Sequence, residues 1–182
     1  MSLDRRDVLR RSLGIAASTL TLGSAARALA DAPVRQLSFL NLHTGERLKA
    51  AYWEAGSYVP DALAAVNHVL RDFRTGEVHA IEPKLLDLLT VLSSKLDTRE
   101  TVQVISGYRS PMTNAKLHAA SSGVATKSLH MQGQAIDIRI AGVDLPRLRD
   151  AALDLKVGGV GFYPTSNFVH VDVGRVRRWQ GA

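Results

Sequence analysis

The segment Ser128–Asp137, SLHMQGQAID, places a histidine and an aspartate seven positions apart with a glycine between them. In a continuous helix His130 and Asp137 would share a face, because two helical turns take about seven residues. Gly133 disfavours the interior of a helix, and the alternating β-branched residues that follow it favour a strand. We therefore predict a loop that carries His130 and leads into a strand that carries Asp137.

This strand belongs to a set of alternating segments in the second half of the chain. In AIDIRI, residues 135–140, the three isoleucines face one side of a sheet and Asp137 faces the other. In FVHVDV the valines form one side, and His170 and Asp172 lie on the opposite side. His130, Asp137 and His170 could then converge as two nitrogen ligands and one oxygen ligand of Zn²⁺, with a fourth position left for water.

The same residues also have an ordinary structural interpretation. A lone histidine is more often a surface or hydrogen-bonded residue than a ligand, and a carboxylate on the polar face of a strand needs no metal. Spacing alone leaves both interpretations open. The remaining histidines are interpreted as structural or surface residues: His43, His68, His79 and His118.

The rest of the chain reads as alternating strands and helices. Residues 36–53 alternate on both sides of a turn at His43–Glu46, which predicts a hairpin whose inward residues are Leu37 and Phe39 or their neighbours. Apolar residues at helical spacing, and prolines suited to helix starts, predict helices. These are Pro60–Phe73, Pro83–Leu96, a short helix through Ala115–Ala120, and Pro146–Leu155.

The N-terminal 30 residues have the pattern of an export signal. Arg5 and Arg6 precede a mildly apolar stretch, Leu13–Leu22, and then small residues that end at Ala30. This pattern indicates a twin-arginine signal. The apolar stretch is shorter than the roughly 20 residues of a membrane-spanning helix. We expect cleavage after Ala30, and a retained anchor is the alternative.

Residues 31–182 then form one domain of ordinary size. The signal contributes five Arg and two Asp, so the formal charge falls from +6 to 18 − 15 = +3 without it. This mild excess suits a polyanionic surface such as a cell wall, or an ordinary solvated surface. The basic residues are scattered, which argues against nucleic acid as a partner. The chain has no cysteine, which excludes disulfides, thiolate metal ligands and a lipidated N-terminal cysteine.

Several motifs resemble one family of peptidases. SGYRS, SLHMQGQAIDI and FVHVDVG, in this order, resemble metallopeptidase family M15. LNLHTGERLKAAYW, LRDFRTGEVH, GGVGFYP and FVHVDVGRVRRW resemble more closely the branch of that family once described as DUF882. The resemblance runs from about Leu37 to Trp179. It covers almost the whole predicted domain with several spaced motifs.

The resemblance implies an α+β zinc peptidase of the hedgehog and D-alanyl-D-alanine carboxypeptidase-like fold, with a mixed, mostly antiparallel sheet and packed helices. It also implies that His130, Asp137 and His170 bind Zn²⁺. Arg109 matches the family arginine, where a guanidinium can bind a substrate carboxylate or stabilise an oxyanion, although a plain salt bridge is the alternative. Ser128 matches a family serine that positions substrate or the loop, or only caps the backbone.

The sequence departs from the family pattern at one important position. Many members carry a glutamate, the general base, three residues before the last histidine, and here that residue is Asn167. Others carry a histidine where this chain has Phe168. Asp172, two residues after His170 and on the same strand face, is therefore a candidate base or an acceptor that orients an imidazole.

The implied function is that of a zinc endopeptidase acting on peptide cross-links of peptidoglycan. We expect a periplasmic monomer without a stable membrane span, exported by the twin-arginine route. A D,D- or L,D-carboxypeptidase and an inactive peptidoglycan-binding module are the alternatives within the resemblance. A purely structural periplasmic domain is the alternative outside it.

Overall fold

The computed structural model describes residues 34–120 and 123–181. The predicted signal at 1–30 lies outside these residues, so both its export route and its cleavage stay predictions. Within the described ranges no helix combines the length and the apolar character needed to cross a membrane.

The described residues form one mixed sheet with helices packed against it. The strands are β1 (Arg35–Asn41), β2 (Arg47–Glu54), β3 (Ser57–Tyr58), β4 (Val102–Ser106), β5 (Ala135–Ile140), β6 (Gly159–Tyr163), β7 (Phe168–Asp172) and β8 (Arg177–Gln180). The helices are α1 (Pro60–Val69), α2 (Pro83–Lys95), α3 (Pro111–Ala120) and α4 (Leu145–Leu155), and a 3₁₀ helix spans Leu129–Gln132.

The strand order is β3-β2-β1-β4-β5-β7-β6-β8. The pairs β1–β4 and β6–β8 are parallel, and the other neighbours are antiparallel. This confirms the prediction of an α+β protein with a mostly antiparallel sheet. The two parallel pairs and the edge strand β8 were not predicted.

The predicted hairpin is β1–β2, and Gly45 supplies the left-handed residue of its turn, with φ = 75°. Leu37 and Phe39 are buried as predicted. Helix α1 ends at Val69, earlier than Phe73, because the chain turns away at Leu70, whose carbonyl accepts a hydrogen bond from the Tyr108 N–H.

The other helices differ only in their ends. Proline occupies the first turn of α1, α2 and α4, where its missing N–H costs nothing. The Asp144 side chain caps α4 by accepting from the Arg147 N–H. Helix α3 begins at Pro111, well before the predicted start at Ala115.

The hydrophobic core lies between the sheet and its helices. Helix α2 packs on β1 and α4, and α4 packs on β5, β6 and β7. The isoleucines of β5, the valines of β7 and the leucines of α2 are buried together in this core. Because side chains alternate along a strand, the polar residues of β5 and β7 point to the opposite face of the sheet.

Candidate metal centre

Three side chains predicted as metal ligands converge on that opposite face. One ligand atom from each of His130, Asp137 and His170 lies within 4.8 Å of the others, and all three residues are buried. The Asp137 Oδ1 atom lies 2.9 Å from His170 Nδ1 and 3.3 Å from His130 Nε2. The two facing imidazole nitrogens are 3.2 Å apart.

The backbone explains this convergence. Asp137 on β5 and His170 on β7 are direct partners in the antiparallel register, so their side chains leave the sheet side by side. His130 lies on the 3₁₀ helix, whose N-terminus is capped by the Ser128 hydroxyl at 3.4 Å. Gly133 ends this helix in a left-handed conformation, with φ = 65°, and a Cβ there would collide with the Ala80 carbonyl.

Groups behind the two imidazoles fix their orientation. His130 Nδ1 lies 2.7 Å from the Gly107 carbonyl oxygen, which can only accept, so Nδ1 carries the proton and Nε2 presents a lone pair. His170 Nε2 lies 3.0 Å from the Asp172 carboxylate and donates to it in the same way. In its neutral form His170 therefore also presents the Nδ1 lone pair to the centre.

The centre consequently favours a positive charge, supplied by a proton on His170 or by a bound cation. Burial lowers the pKa of His130 and would lower that of His170, but hydrogen bonds to Asp137 and Asp172 outweigh burial and raise the pKa of His170. Burial would raise the pKa of Asp137, yet the two imidazoles hold it well below its usual range. Two imidazole lone pairs and an ionised carboxylate fit a divalent cation, which can satisfy all three acceptors at once.

Asp172 is enclosed on all sides. Its carboxylate accepts from the Gly159 and Gly174 N–H groups, both at 2.9 Å, and from both terminal nitrogens of Arg177 at 3.0 and 2.6 Å. Burial would raise its pKa, but the hydrogen bonds from His170 and Arg177 lower it. The imidazole of His170 separates this carboxylate from Asp137. This placement fits an orienting acceptor and does not fit a base that contacts substrate.

Arg109 follows β4 and reaches the other oxygen of Asp137. Its terminal nitrogens lie 3.4–3.5 Å from Asp137 Oδ2, Ser106 Oγ and Asn114 Oδ1, all long contacts. Within residues 34–120 and 123–181 its buried Nε has no hydrogen-bond partner. Burial lowers the pKa of this guanidinium, and the charge of Asp137 opposes that effect. The side chain is thus held in place while part of its donor capacity is unused.

The segment that contains Gly107 and Arg109 is braced from behind. Gly107 packs so closely on Leu70 that a Cβ would collide with the Leu70 carbonyl oxygen and lie 2.9 Å from its Cβ. Asp72 accepts from the Ser110 backbone at 2.9 Å and from the Ser110 hydroxyl at 2.7 Å. Residues 70–79 therefore position both the carbonyl behind His130 and the start of α3.

A cleft of about 690 Å³ opens over the centre. Arg109 and Ser128 line it together with the metal-centre residues, and Asp172 does not. Asp137 is the only carboxylate among the described residues of this lining. Asn167 lies exposed in the turn before β7, with a left-handed φ of 56°, a conformation that asparagine tolerates.

Sequence analysis did not identify several residues around the cleft. Tyr163 and Trp179 line it, and the Trp179 Nε1 atom lies 2.8 Å from the Tyr163 hydroxyl. The Gly107 carbonyl accepts from His130, and Arg177 binds the Asp172 carboxylate that accepts from His170. The glycines of GGVGFYP are the sequence feature that indicates this packing, because Gly159 leaves room for Arg177 and Gly161 leaves room for the Trp179 ring. The four histidines interpreted as structural lie outside the cluster.

The chain is similar in sequence to known proteins over nearly its whole length. Residues 29–179 match the family described as Peptidoglycan L,D-endopeptidase MepK. A protein of that name from Escherichia coli (strain K12) is 46% identical over 182 residues, covering 97% of this chain and 100% of that protein. The Shigella flexneri protein of the same name matches equally. The Haemophilus influenzae protein named Probable peptidoglycan L,D-endopeptidase MepK is 43% identical over 170 residues, covering 92% and 91% of the two chains.

Proposed function

The chain belongs to peptidase family M15, in the branch described as peptidoglycan L,D-endopeptidase MepK, and from that membership we propose that it is a zinc-dependent endopeptidase of peptidoglycan cross-links. The observation that carries the proposal is the set of three acceptors, His130 Nε2, Asp137 Oδ1 and His170 Nδ1, whose lone pairs converge at the floor of a cleft. Because the relatives are named L,D-endopeptidases, the L,D amide bond of a cross-link is the bond proposed.

His130, Asp137 and His170 would bind the zinc ion. When bound, the ion supplies a Lewis acid that polarises a carbonyl and activates water near neutral pH. Nitrogen and oxygen ligands suit Zn²⁺, and three protein ligands leave coordination positions open, as in catalytic zinc sites. The strand pairing of Asp137 with His170 fixes two of the ligands without any help from a loop.

Arg109 would bind negative charge of the substrate. Its guanidinium lies in the cleft beside Asp137, and its protein contacts are long. A substrate carboxylate, or the oxyanion that forms at the attacked carbonyl, would give it the short charge-assisted bonds that it lacks. Ser128 lines the same cleft and caps the helix of His130, so its proposed role is to position the substrate and this loop.

Asp172 would orient His170 and raise its strength as a ligand. A carboxylate that accepts the second N–H of a ligating histidine fixes its tautomer and its ring orientation. Asp172 is itself fixed by Arg177 and by two backbone N–H groups, so the orientation is rigid. Of the two roles considered for this residue, we propose the orienting one.

A second candidate function is an inactive peptidoglycan-binding module. It is favoured by Asn167, which cannot accept a proton from water, and by the lack of a second carboxylate among the described residues of the cleft. A D,D- or L,D-carboxypeptidase would use the same centre on a different bond. We further propose a hedgehog-like fold and a periplasmic monomer, exported by the twin-arginine route as residues 31–182 after loss of 1–30.

Digestion of purified sacculi tests the function. The zinc-loaded protein is expected to release uncross-linked muropeptides, identified by mass, and to bind one zinc per chain by elemental analysis. His170→Ala and treatment with a chelator should abolish release, and added zinc should restore only the chelated wild type. Stoichiometric zinc without any product from the folded wild type would favour the binding module. Absence of stoichiometric zinc would refute the zinc-dependent enzyme and leave only a zinc-free binding module or a purely structural domain.

A further inference from the structure

Tyr163 at the end of β6 is a polar group of the cleft to which the proposed mechanism gives no task. Its hydroxyl accepts a hydrogen bond from Trp179 Nε1 at 2.8 Å. An indole nitrogen only donates, so this bond uses a lone pair of the phenol oxygen and leaves the phenol proton available. The donation also makes the phenol a better donor, because linked hydrogen bonds polarise one another.

The ring of Tyr163 is held firmly. It stacks on Phe168 with a centroid distance of 4.4 Å and an interplanar angle of 20°. The backbone of Gly181 also approaches the ring so closely that a Cβ there would collide with it. The hydroxyl therefore has a defined position in the cleft, as a catalytic hydrogen-bond donor requires.

Trp179 connects this hydroxyl to the metal centre. Its ring packs on His170 with a centroid distance of 5.1 Å, and Arg177 lies 4.9 Å above it. Gly161 permits this packing, because a Cβ there would come within 2.6 Å of the indole. Tyr163 is thus one hydrogen bond away from a side chain that contacts a candidate ligand.

Arg109 also lines the cleft and can stabilise an oxyanion, so Tyr163 would share this task with it. The cleft's only carboxylate among the described residues is Asp137, which faces the two imidazoles, and Asp172 is enclosed behind His170. Arg177 is engaged with Asp172 through both terminal nitrogens. Of the described neutral side chains in the lining, Tyr163 combines a fixed ring with a hydroxyl polarised by a second hydrogen bond.

We propose that Tyr163 is a catalytic residue whose hydroxyl donates a hydrogen bond to the carbonyl oxygen of the scissile amide as negative charge develops there. The phenol keeps its proton throughout, so no proton transfer is assigned to it. Trp179 is a positioning residue that acts through Tyr163. The inference rests on the proposed function, since it needs an amide carbonyl in the cleft.

The test compares Tyr163→Phe with wild type on a purified cross-linked muropeptide. Phenylalanine keeps the ring stacked on Phe168 and removes only the hydroxyl. Loss of one oxyanion donor lowers kcat by roughly 100- to 1,000-fold in the best-studied case, and we expect a fall of at least about 10-fold here with KM changed less than about threefold. Zinc content and Tm should match wild type.

Two further measurements separate a catalytic role from a structural one. Affinity for a phosphinate analogue, in which tetrahedral phosphorus replaces the scissile carbonyl, should fall about 10-fold or more in calorimetric titration of Tyr163→Phe. Trp179→Phe should lower kcat less, and the double variant should be no slower than Tyr163→Phe alone, because both changes act on one hydroxyl.

Tyr58→Phe is the matched control, since its hydroxyl donates to Asp87 at 2.7 Å and lies outside the cleft lining. It should keep wild-type kcat and analogue affinity. If wild type is active and Tyr163→Phe differs from it by less than about twofold in both kcat and analogue affinity, the inference is overturned and the proposed function stands. Inactive, zinc-loaded wild type would overturn the proposed function itself.

Discussion

Asp172→Asn tests how the centre prepares His170 to bind a metal. The carboxylate accepts five hydrogen bonds, from Gly159, Gly174, His170 and twice from Arg177. An asparagine of the same shape has one acceptor oxygen and an NH₂ group that donates. Whichever way the amide is turned, its nitrogen faces donors, so some of these bonds are lost.

The less costly orientation can be worked out from the contacts. An amide oxygen at the Oδ1 position keeps the bonds from Gly159, Gly174 and one Arg177 nitrogen. The NH₂ group then faces His170 Nε2, which must become an acceptor. The imidazole proton moves to Nδ1, the atom that points at Asp137, and this tautomer cannot bind a metal through Nδ1.

The substitution should weaken zinc binding and lower the free energy of unfolding. Removing the partner behind a ligating histidine costs about 10- to 100-fold in metal affinity. At the Oδ2 position of this fully buried side chain, the bond from Arg177 is lost and the bond with His170 becomes a weaker neutral one, so the free energy of unfolding should fall by about 3 kcal/mol. The partial exposure of Arg177 keeps this loss below the value for a fully buried pair.

Competition with a chromophoric chelator measures the zinc affinity, and digestion of muropeptides at two zinc concentrations measures turnover. Asp172→Asn should recover much of its activity when zinc is raised above its weakened dissociation constant. Asp150→Asn, an exposed aspartate beside Arg149, is the control and should change neither quantity. Wild-type zinc affinity with kcat reduced by orders of magnitude would refute the tautomer argument and make Asp172 the base. Undiminished turnover and zinc content would exclude it from the mechanism.

Two further changes test the supports around the centre. Gly107→Ala should lower the free energy of unfolding by about 2 kcal/mol or more, because the new Cβ collides with the Leu70 carbonyl oxygen. A Tm equal to that of wild type within a measurement error of about 1 °C would contradict this packing argument. Burial would raise the pKa of Asp72, but hydrogen bonds from Thr113 and Ser110 lower it to about 2 from its usual 3.8. A lowered pKa stabilises the folded state above the ordinary value, and this contribution, about 2 kcal/mol, should be lost as the pH falls from about 4 to 2. Urea unfolding across this range should show a loss that is about 2 kcal/mol smaller in Asp72→Asn than in wild type, because the other buried carboxylates with a lowered pKa, Asp137 and Asp172, contribute equally to both proteins. Parallel pH profiles would contradict the assignment.

Much of the fold follows from local patterns in the sequence. Residues 36–53 predict the hairpin, because the alternation and the turn at Gly45 specify both strands and their register. Helix α2 begins at Pro83 as its proline predicts. Helix α1 is shorter than its apolar spacing suggests because the Leu70 carbonyl bonds to the distant Tyr108 N–H, which local spacing cannot reveal.

The placement of His130, Asp137 and His170 combines two kinds of information. Alternation along β5 and β7 predicts that Asp137 and His170 leave the sheet on its polar face, and the structure confirms that they are register partners. Their proposed role as ligands rests on the resemblance, because the same alternation fits an exposed strand pair. The structure adds that this face is buried and that a second histidine reaches it from the 3₁₀ helix.

The surroundings of Asp172 show what local patterns cannot supply. Strand β8 is short, rich in arginine and parallel to β6, so neither an alternating apolar pattern nor a hairpin turn predicts it from the sequence. Yet this strand begins at Arg177, which binds Asp172, and includes Trp179, which packs on His170. Whether a strand carboxylate faces solvent or orients a ligand is thus decided by a pairing that only the folded chain reveals.

The distribution of charge explains why the centre can operate with a single carboxylate in its cleft. Asp172 places a second negative charge behind His170, where Arg177 and two backbone N–H groups balance it. The imidazole conveys the effect of that charge to the ligand atom. Among the described residues that line the cleft, Asp137 is the one carboxylate, and Arg109, Lys127 and Arg177 are cationic. An anionic substrate therefore meets little repulsion, and developing negative charge on its carbonyl meets cationic and hydroxyl donors. In the proposed enzyme, placing the orienting carboxylate behind the ligand, instead of beside the substrate, would let one site bind both a cation and an anionic peptide.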